Sequence, residues 1–546
     1  MVERLNGIQE VVGSIPIVST TAPNGREKYR KSGAFLLFVR SGRERSACRA
    51  FLGDKNDNCL KKLKNQDISV TIKNMGIVGF AAAGRRFSGR EKGGCKMSGK
   101  KIVFPDRFIW GVATSAGQTE GAALEDGRGL SIWDVFARIP GKIYHDQLPD
   151  TADDFYHRYR EDCKILRDLG VQSFRMSLSW SRLFPEGAGK VNEKGIAFYH
   201  NVFSELKKYG IMPNVTLYHW DLPYALQEEL GWLNRDTAQK FADYASFVFR
   251  EFGDEVDYFA TLNEPIATYV GYGLGAFAPG LRGERFGRQA NHNLLLAHGL
   301  GVKAFRAEQK NNRIGIVIDI WNREPVHPGN ERECAIAERE NELAHLSYLN
   351  PVFKGDYSAY YKRWLEENGI RLEVGADDGK TIAQPLDFFG LNTYSRVLIG
   401  EKDGDATQKI KQLGGNFQAN GQEFYPKAVY DALHMLKRDF IGDLPVFVTE
   451  NGTYREDEGL DADGTCKDEH RIRYIEGYVR WMKRAIDEGI DLRGYYAWSL
   501  MDNWEWTAGY HYRFGLVHVD YETQKRTWKE SAYWYRDLIR RNGLNG

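Results

Sequence analysis

Two glutamates stand where runs of β-branched and aromatic residues stop. Glu264 follows the run Val256 to Leu262 within Thr-Leu-Asn-Glu-Pro, and Glu450 follows the run Leu444 to Thr449 within Val-Thr-Glu-Asn-Gly. A strand that ends on a carboxylate and then meets Pro or Gly puts that acid at the rim of a sheet. Two such acids at the ends of different strands form the pair needed to cleave a glycosidic bond. One protonates the leaving oxygen, while the other attacks, or activates water, from the opposite side of the sugar. A single strand-end Glu is more often a cap or a surface charge. Two in matching contexts, flanked by residue types that bind sugars, favour the catalytic reading.

The elements that would carry this pair recur from residue 103 onward. Strand-like apolar runs fall at Phe108–Ala113, Ser173–Leu178, Met212–Tyr218, Tyr258–Leu262, Ile314–Ile320, Leu386–Leu391, Pro445–Val448 and Gly494–Trp498, with helical patterns such as Ile196–Leu206 and Phe241–Val248 between most of them. Eight strands alternating with helices predict an α/β fold, a single (β/α)8 TIM barrel with long βα loops. The active site of such a barrel lies at the carboxyl ends of its strands, where both glutamates fall.

Bulk composition agrees. A chain of 546 residues with 42% hydrophobic and 13% aromatic content can build a large core, and 13 Trp and 29 Tyr suit stacking on sugar faces as well as burial. Residues 1–100 hold 20 Lys and Arg against 8 Asp and Glu, leaving 55 against 66 over the rest. A mildly acidic body argues against nucleic acid as a partner. The charge pattern divides the chain into a basic extension, 1–100, and a catalytic domain, 101–546. The extension shows no sustained period, and three readings stay open: a disordered or targeting arm, a small regulatory segment, or upstream sequence ahead of a true start at Met97. Its six-cysteine complement shared with the body (48, 59, 95, 163, 334, 466) lacks CxxC or metal-ligand spacing, which fits structural thiols in a reducing compartment. No secretory signal or membrane-length apolar run is found. The expected location is the cytoplasm, with an organelle address in the extension left open.

From about residue 103 to about 540 the chain resembles glycoside hydrolase family 1, the β-glucosidase family. The motifs that carry the likeness are Ser-Ala-Gly-Gln-Thr-Glu-Gly (115–121), Ser-Phe-Arg-Met-Ser (173–177), Leu-Tyr-His-Trp-Asp-Leu-Pro (217–223), Thr-Leu-Asn-Glu-Pro (261–265), Leu-Asn-Thr-Tyr (391–394), Val-Thr-Glu-Asn-Gly (448–452) and Trp-Ser-Leu-Met-Asp-Asn-Trp-Glu-Trp (498–506). The resemblance implies Glu264 as general acid/base and Glu450 as nucleophile, with Arg175 beside the nucleophile and Tyr394 as its phenol partner. It implies ring-hydroxyl contacts from Gln118, His219 and Asn263, the last to the 2-hydroxyl, and a supporting role for Asn392. Trp498 would be the platform under the ring, Glu505 and Trp506 the clamp on the remote hydroxyls, and Phe514 a wall of the entrance.

The implied activity is a retaining β-glycosidase acting on terminal β-D-glucosyl residues, with side activity on β-D-galactosides or fucosides. Its partner is a small β-glucoside or a short β-linked oligosaccharide, not nucleic acid or membrane, and a homo-oligomer is left open. No metal or organic cofactor is expected, because carboxylates supply both acid–base and covalent chemistry. A transglycosidase and a sugar-binding pseudoenzyme are the rivals; the second would lose a catalytic Glu, and both are present. Glu505 argues against 6-phosphosugar substrates, and Glu264 favours O-glycosides over thioglucosides. The chain departs from the family at Gly117, Thr119, Thr393 and Gln422, which bears on the leaving-group side and not on the acid pair.

Overall fold

The computed structural model describes residues 35–41, 44–50, 101–400, 404–405 and 416–545. The chain divides into two units, Met1–Gly94 and Cys95–Gly546. In the first, strands Phe35–Ser41 and Glu44–Ala50 pair antiparallel; the remaining expectations for the extension lie outside the described residues.

The second unit is a closed barrel of eight parallel strands. In chain order these are β1 (Ile109–Ala113), β2 (Ser173–Ser177), β3 (Met212–Tyr218), β4 (Tyr258–Asn263), β5 (Arg313–Asp319), β6 (Phe388–Asn392), β7 (Val446–Asn451) and β8 (Leu492–Trp498). Each pairs with its sequence neighbours, and β8 closes on β1. All eight expected strands are present. Parallel pairing requires crossovers, and helices supply them: α1 (Phe155–Leu169), α2 (Glu193–Lys208), α3 (Asp236–Phe252), α4 (Glu284–Ala307), α5 (Ser347–Lys354), α6 (Lys427–Leu436) and α7 (Glu469–Asp487), while α8 (Glu530–Arg541) follows β8.

The helix α2 shows why these segments fold locally. Ile196, Tyr199, Val202, Phe203 and Leu206 recur at helical spacing and are all buried. Each contributes roughly 1.5–3 kcal/mol from leaving water. Asn192 caps the first turn by accepting from the Lys194 N–H at 3.3 Å.

Two hydrophobic layers follow from the alternation of strand side chains. The larger lies between strands and helices. The smaller fills the barrel itself, with Ala113, Ala260, Val317, Phe388, Phe447, Tyr496 and Trp498 packed together. This plug makes the barrel a solid base, and Trp498, last residue of β8, caps it at the mouth.

Candidate active site

Strand register decides which side chains meet at the mouth. Trp498 pairs with Ala113, Ala113 with Arg175, Asn392 with Asp319, and Asn392 also with Glu450. β4 shifts register between Ala260 and Asn263, and β7 shifts between Val448 and Asn451. Such irregularities re-aim side chains at a barrel rim, and here they fall on the two strands that deliver Glu264 and Glu450.

Glu450 is buried and accepts on both oxygens. Arg175 donates to Oε1 at 2.6 Å and the Tyr394 hydroxyl donates to Oε2 at 2.7 Å. Arg175 is itself fully buried and donates through its other terminal nitrogen to Asn263 Oδ1 at 2.6 Å. The Glu-Asn-Gly motif has a steric reason. A Cβ on Gly452 would lie 1.9 Å from the Trp498 carbonyl oxygen, so only glycine lets β7 and the end of β8 come this close.

Glu264 sits one residue past β4 with a backbone φ of +46°. A non-glycine residue there is strained, and such strain gathers where function holds the geometry. The surroundings over-determine it: the Glu264 N–H donates to the Val317 carbonyl at 2.9 Å, and Pro265 opens the helix Ile266–Tyr272. Trp220, also at positive φ, donates its indole N–H to the Asn263 carbonyl at 2.9 Å. On the side chain, Asn392 donates to Oε1 at 2.6 Å. Burial raises the Glu264 carboxyl well above the usual carboxylate range, and the charges of Asp319 and then Glu450 push the same way. Asn392 and Arg175 oppose that shift without overturning it.

The expected sugar contacts assemble around this pair. Gln118 donates to Glu505 Oε2 at 2.9 Å and to Asn503 Oδ1 at 3.1 Å, and accepts from Ser115 at 2.7 Å. Asn263 Nδ2 lies 3.1 Å from His219 Nε2. Burial, then the charge of Arg175, holds His219 well below its ordinary range, so the ring is neutral. The His219 ring lies 6.0 Å from Trp498 and 6.2 Å from Trp506, nearly parallel to both. Phe514 stands 6.3 Å from Tyr394 and 5.0 Å from Tyr454. All twelve sequence-derived residues therefore belong to one connected rim.

Burial, then the charge of Glu450, pushes Glu505 up to about 8, and the hydrogen bond from Gln118 opposes that shift.

Gly117 also gains a reason: a Cβ there would meet the Trp506 ring at 3.3 Å, so this indole occupies the space beside it. Gln422 lines an open cavity of about 340 Å³ with Trp321, Arg396, Asn420, Glu423 and Tyr454. Trp321 connects this cavity to the site by stacking on Tyr394 at 5.7 Å. Sequence reasoning missed Trp321, Asp319 and Thr449, whose hydroxyl donates to Asn392 Oδ1 at 2.7 Å. Period-two counting from the inward Val317 finds Asp319; Thr449 carried no signal beyond its place beside Glu450.

Comparison with known proteins agrees with this geometry. The glycosyl hydrolase family 1 model matches residues 100–544. The chain is 42% identical to β-glucosidase A of Acetivibrio thermocellus over 449 residues, which is 81% of this chain and 100% of that protein. It is 41% identical to β-glucosidase A of Thermotoga maritima, over 81% of this chain and 98% of that protein. The solved Thermotoga maritima β-glucosidase in complex with glucoimidazole superposes with a TM-score of 0.76 at 40% identity, covering 81% of this chain and 100% of that one. The chain belongs to glycosyl hydrolase family 1 and has β-glucosidase activity.

Proposed function

We propose that hydrolysis proceeds by double displacement with net retention. Glu450 attacks the anomeric carbon while Glu264 gives its proton to the departing glycosidic oxygen, so the aglycone leaves neutral and a glycosyl–Glu450 ester remains. Water then loses a proton to Glu264 and attacks the same carbon, which releases β-glucose and regenerates both groups. Arg175 and Tyr394 orient Glu450. Asn392 orients Glu264, and Asn263 takes the 2-hydroxyl. Gln118, His219, Glu505 and Trp506 pair the remaining hydroxyls, with Trp498 under the ring and Phe514 at the entrance.

The observation that carries this reading is the unlike setting of the two carboxyls. Glu450 accepts on both oxygens from an arginine and a phenol, while Glu264 is raised by burial and two acids. Complexes of the Thermotoga relative with glucoimidazole and with cyclophellitol support a glucose-shaped glycone. β-D-Galactosides and β-D-fucosides are proposed as slower substrates. Proton NMR of early hydrolysis tests the stereochemistry: the β anomer of glucose should appear first and mutarotate. An α anomer appearing first would rule out the double displacement.

A further inference from the structure

The register of the barrel brings one more ionisable side chain to the chamber than this mechanism uses. Val317 on β5 faces the interior plug. Strand side chains alternate, so Asp319, two residues on, faces the same way one layer nearer the mouth. It pairs in register with Asn392, whose amide donates to Glu264. The Glu264 N–H is bonded to the β5 carbonyl two residues before Asp319. Asp319 thus lies between the end of β4, which carries Glu264, and Asn392 of β6, which holds the Glu264 side chain.

Its bonding sets it apart from that layer. Arg175, Asn263, Asn392, Thr449 and Glu450 are tied to one another by side-chain hydrogen bonds. Asp319 Oδ1 is buried without a hydrogen-bond partner among the described residues. A buried carboxylate oxygen with no donor is unfavourable, and in a cleft it marks a group kept for its charge.

We propose that Asp319 is a positioning residue for hydrolysis: its negative charge beside Glu264 keeps the proton on that acid until the glycosidic oxygen takes it, and so sets the alkaline limit of turnover. Asp319 neither gains nor loses a proton in the cycle. The inference rests on the reading of Glu264 as the acid. Glu264 faces Asp319 from β5, Glu450 from β7, Asn392 from β6 and Arg175 from β2, with the Tyr394 phenol beyond β6. Asp319 in turn faces Arg323, Glu450 and the Tyr348 phenol of α5. Burial, with Arg323 opposing it, leaves Asp319 at about 6, and the charge of Asp319 is among the causes that raise Glu264. A like charge disfavours the second ionisation. Removing it lets Glu264 lose its proton at lower pH, and the alkaline limb must move down.

The test is the pH profile of kcat/KM for 4-nitrophenyl β-glucoside in four enzymes. Asp319→Asn should move the alkaline limb down by about one pH unit, whereas Asp319→Glu, which keeps the charge, should leave it near the wild-type position. An unmoved limb in Asp319→Asn overturns the proposal. So does a rise in KM confined to disaccharides, which would make Asp319 a leaving-group contact. Glu264→Ala separates the two readings: its profile should lack the alkaline limb, and a retained limb would refute Glu264 as the acid whatever Asp319 does. If Asp319→Asn fails to fold, carboxyl-labelled wild-type enzyme decides by NMR. The Glu264 resonance, assigned by its loss in Glu264→Gln, should show a second inflection near pH 6 from Asp319; its absence overturns the proposal.

Discussion

The ends of β4 and β7 carry the same residue type in opposite settings. At β7, Glu450 meets a guanidinium on one oxygen and a phenol on the other. At β4, Glu264 meets one amide, and burial with the charges of Asp319 and Glu450 raises its carboxyl. One chain of side chains joins them, from Glu450 through Arg175, Asn263 and Asn392 to Glu264. On the proposed mechanism, chemical role is written in the neighbours of each glutamate, not in the glutamate. A donor-rich rim makes an acceptor that can attack, and a donor-poor, anionic rim makes an acid that can give.

The harshest way to break this contrast is to empty the β7 side. Glu450→Gly should lower kcat on the order of 10⁴-fold or more for every β-glucoside, because no covalent intermediate can form. Emptying the β4 side should act selectively. Glu264→Ala should cost on the order of 10²- to 10⁴-fold with cellobiose. Formation of the glycosyl-enzyme from a dinitrophenyl glucoside should be nearly spared, since that leaving group needs no proton; pre-steady-state release would show this as a burst. An equal loss with both substrates would mean the acid lies elsewhere.

Glu505 sharpens the comparison as a further carboxyl of the site outside the reacting pair. Glu505→Ser should lower kcat/KM for glucosides on the order of 10²-fold or more, because hydroxyls built into a paired site lose their partner. The stereochemical course should stay retaining, so a variant that inverted would place Glu505 in the reaction itself. The smallest change trims one donor from Glu450. Tyr394→Phe should cost about 10-fold, roughly one hydrogen bond to a charged group. The loss should appear in kcat with both activated and unactivated leaving groups; a KM effect alone would make Tyr394 a sugar contact only.

Much of this was legible in the chain. The strands are short apolar runs bounded by turn residues, and the run Met212–Tyr218 coincides with β3 residue for residue. Other ends moved by one to three residues; β7, for example, continues to Asn451 and so includes Glu450. Glu264 and Glu450 were readable because each lies in a motif at a strand end; Arg175, at the centre of β2, and Gln118, on the helix Ala116–Thr119, were readable through the motifs around them. Asp319 was not, although its strand was found, because its inward direction depends on which neighbour fills the barrel. Trp321 was hidden for a different reason. It follows β5 on a loop, and its place beside Tyr394 comes from tertiary contact between the β5 and β6 loops. The raised proton affinity of Glu505 was not legible either, because it follows from burial depth, which is invisible in sequence.

The assignment of roles is tested most directly by azide rescue of the two emptied sites. In Glu450→Gly, azide should attack from the vacated β7 side and give the α-glucosyl azide, with inversion. In Glu264→Ala, the Glu450 ester still forms, and azide should open it from the β4 side to give the β-glucosyl azide, with retention. Opposite anomers from the two variants are the predicted result. The same anomer from both, or the two anomers exchanged, would contradict the assignment of nucleophile to Glu450 and acid to Glu264.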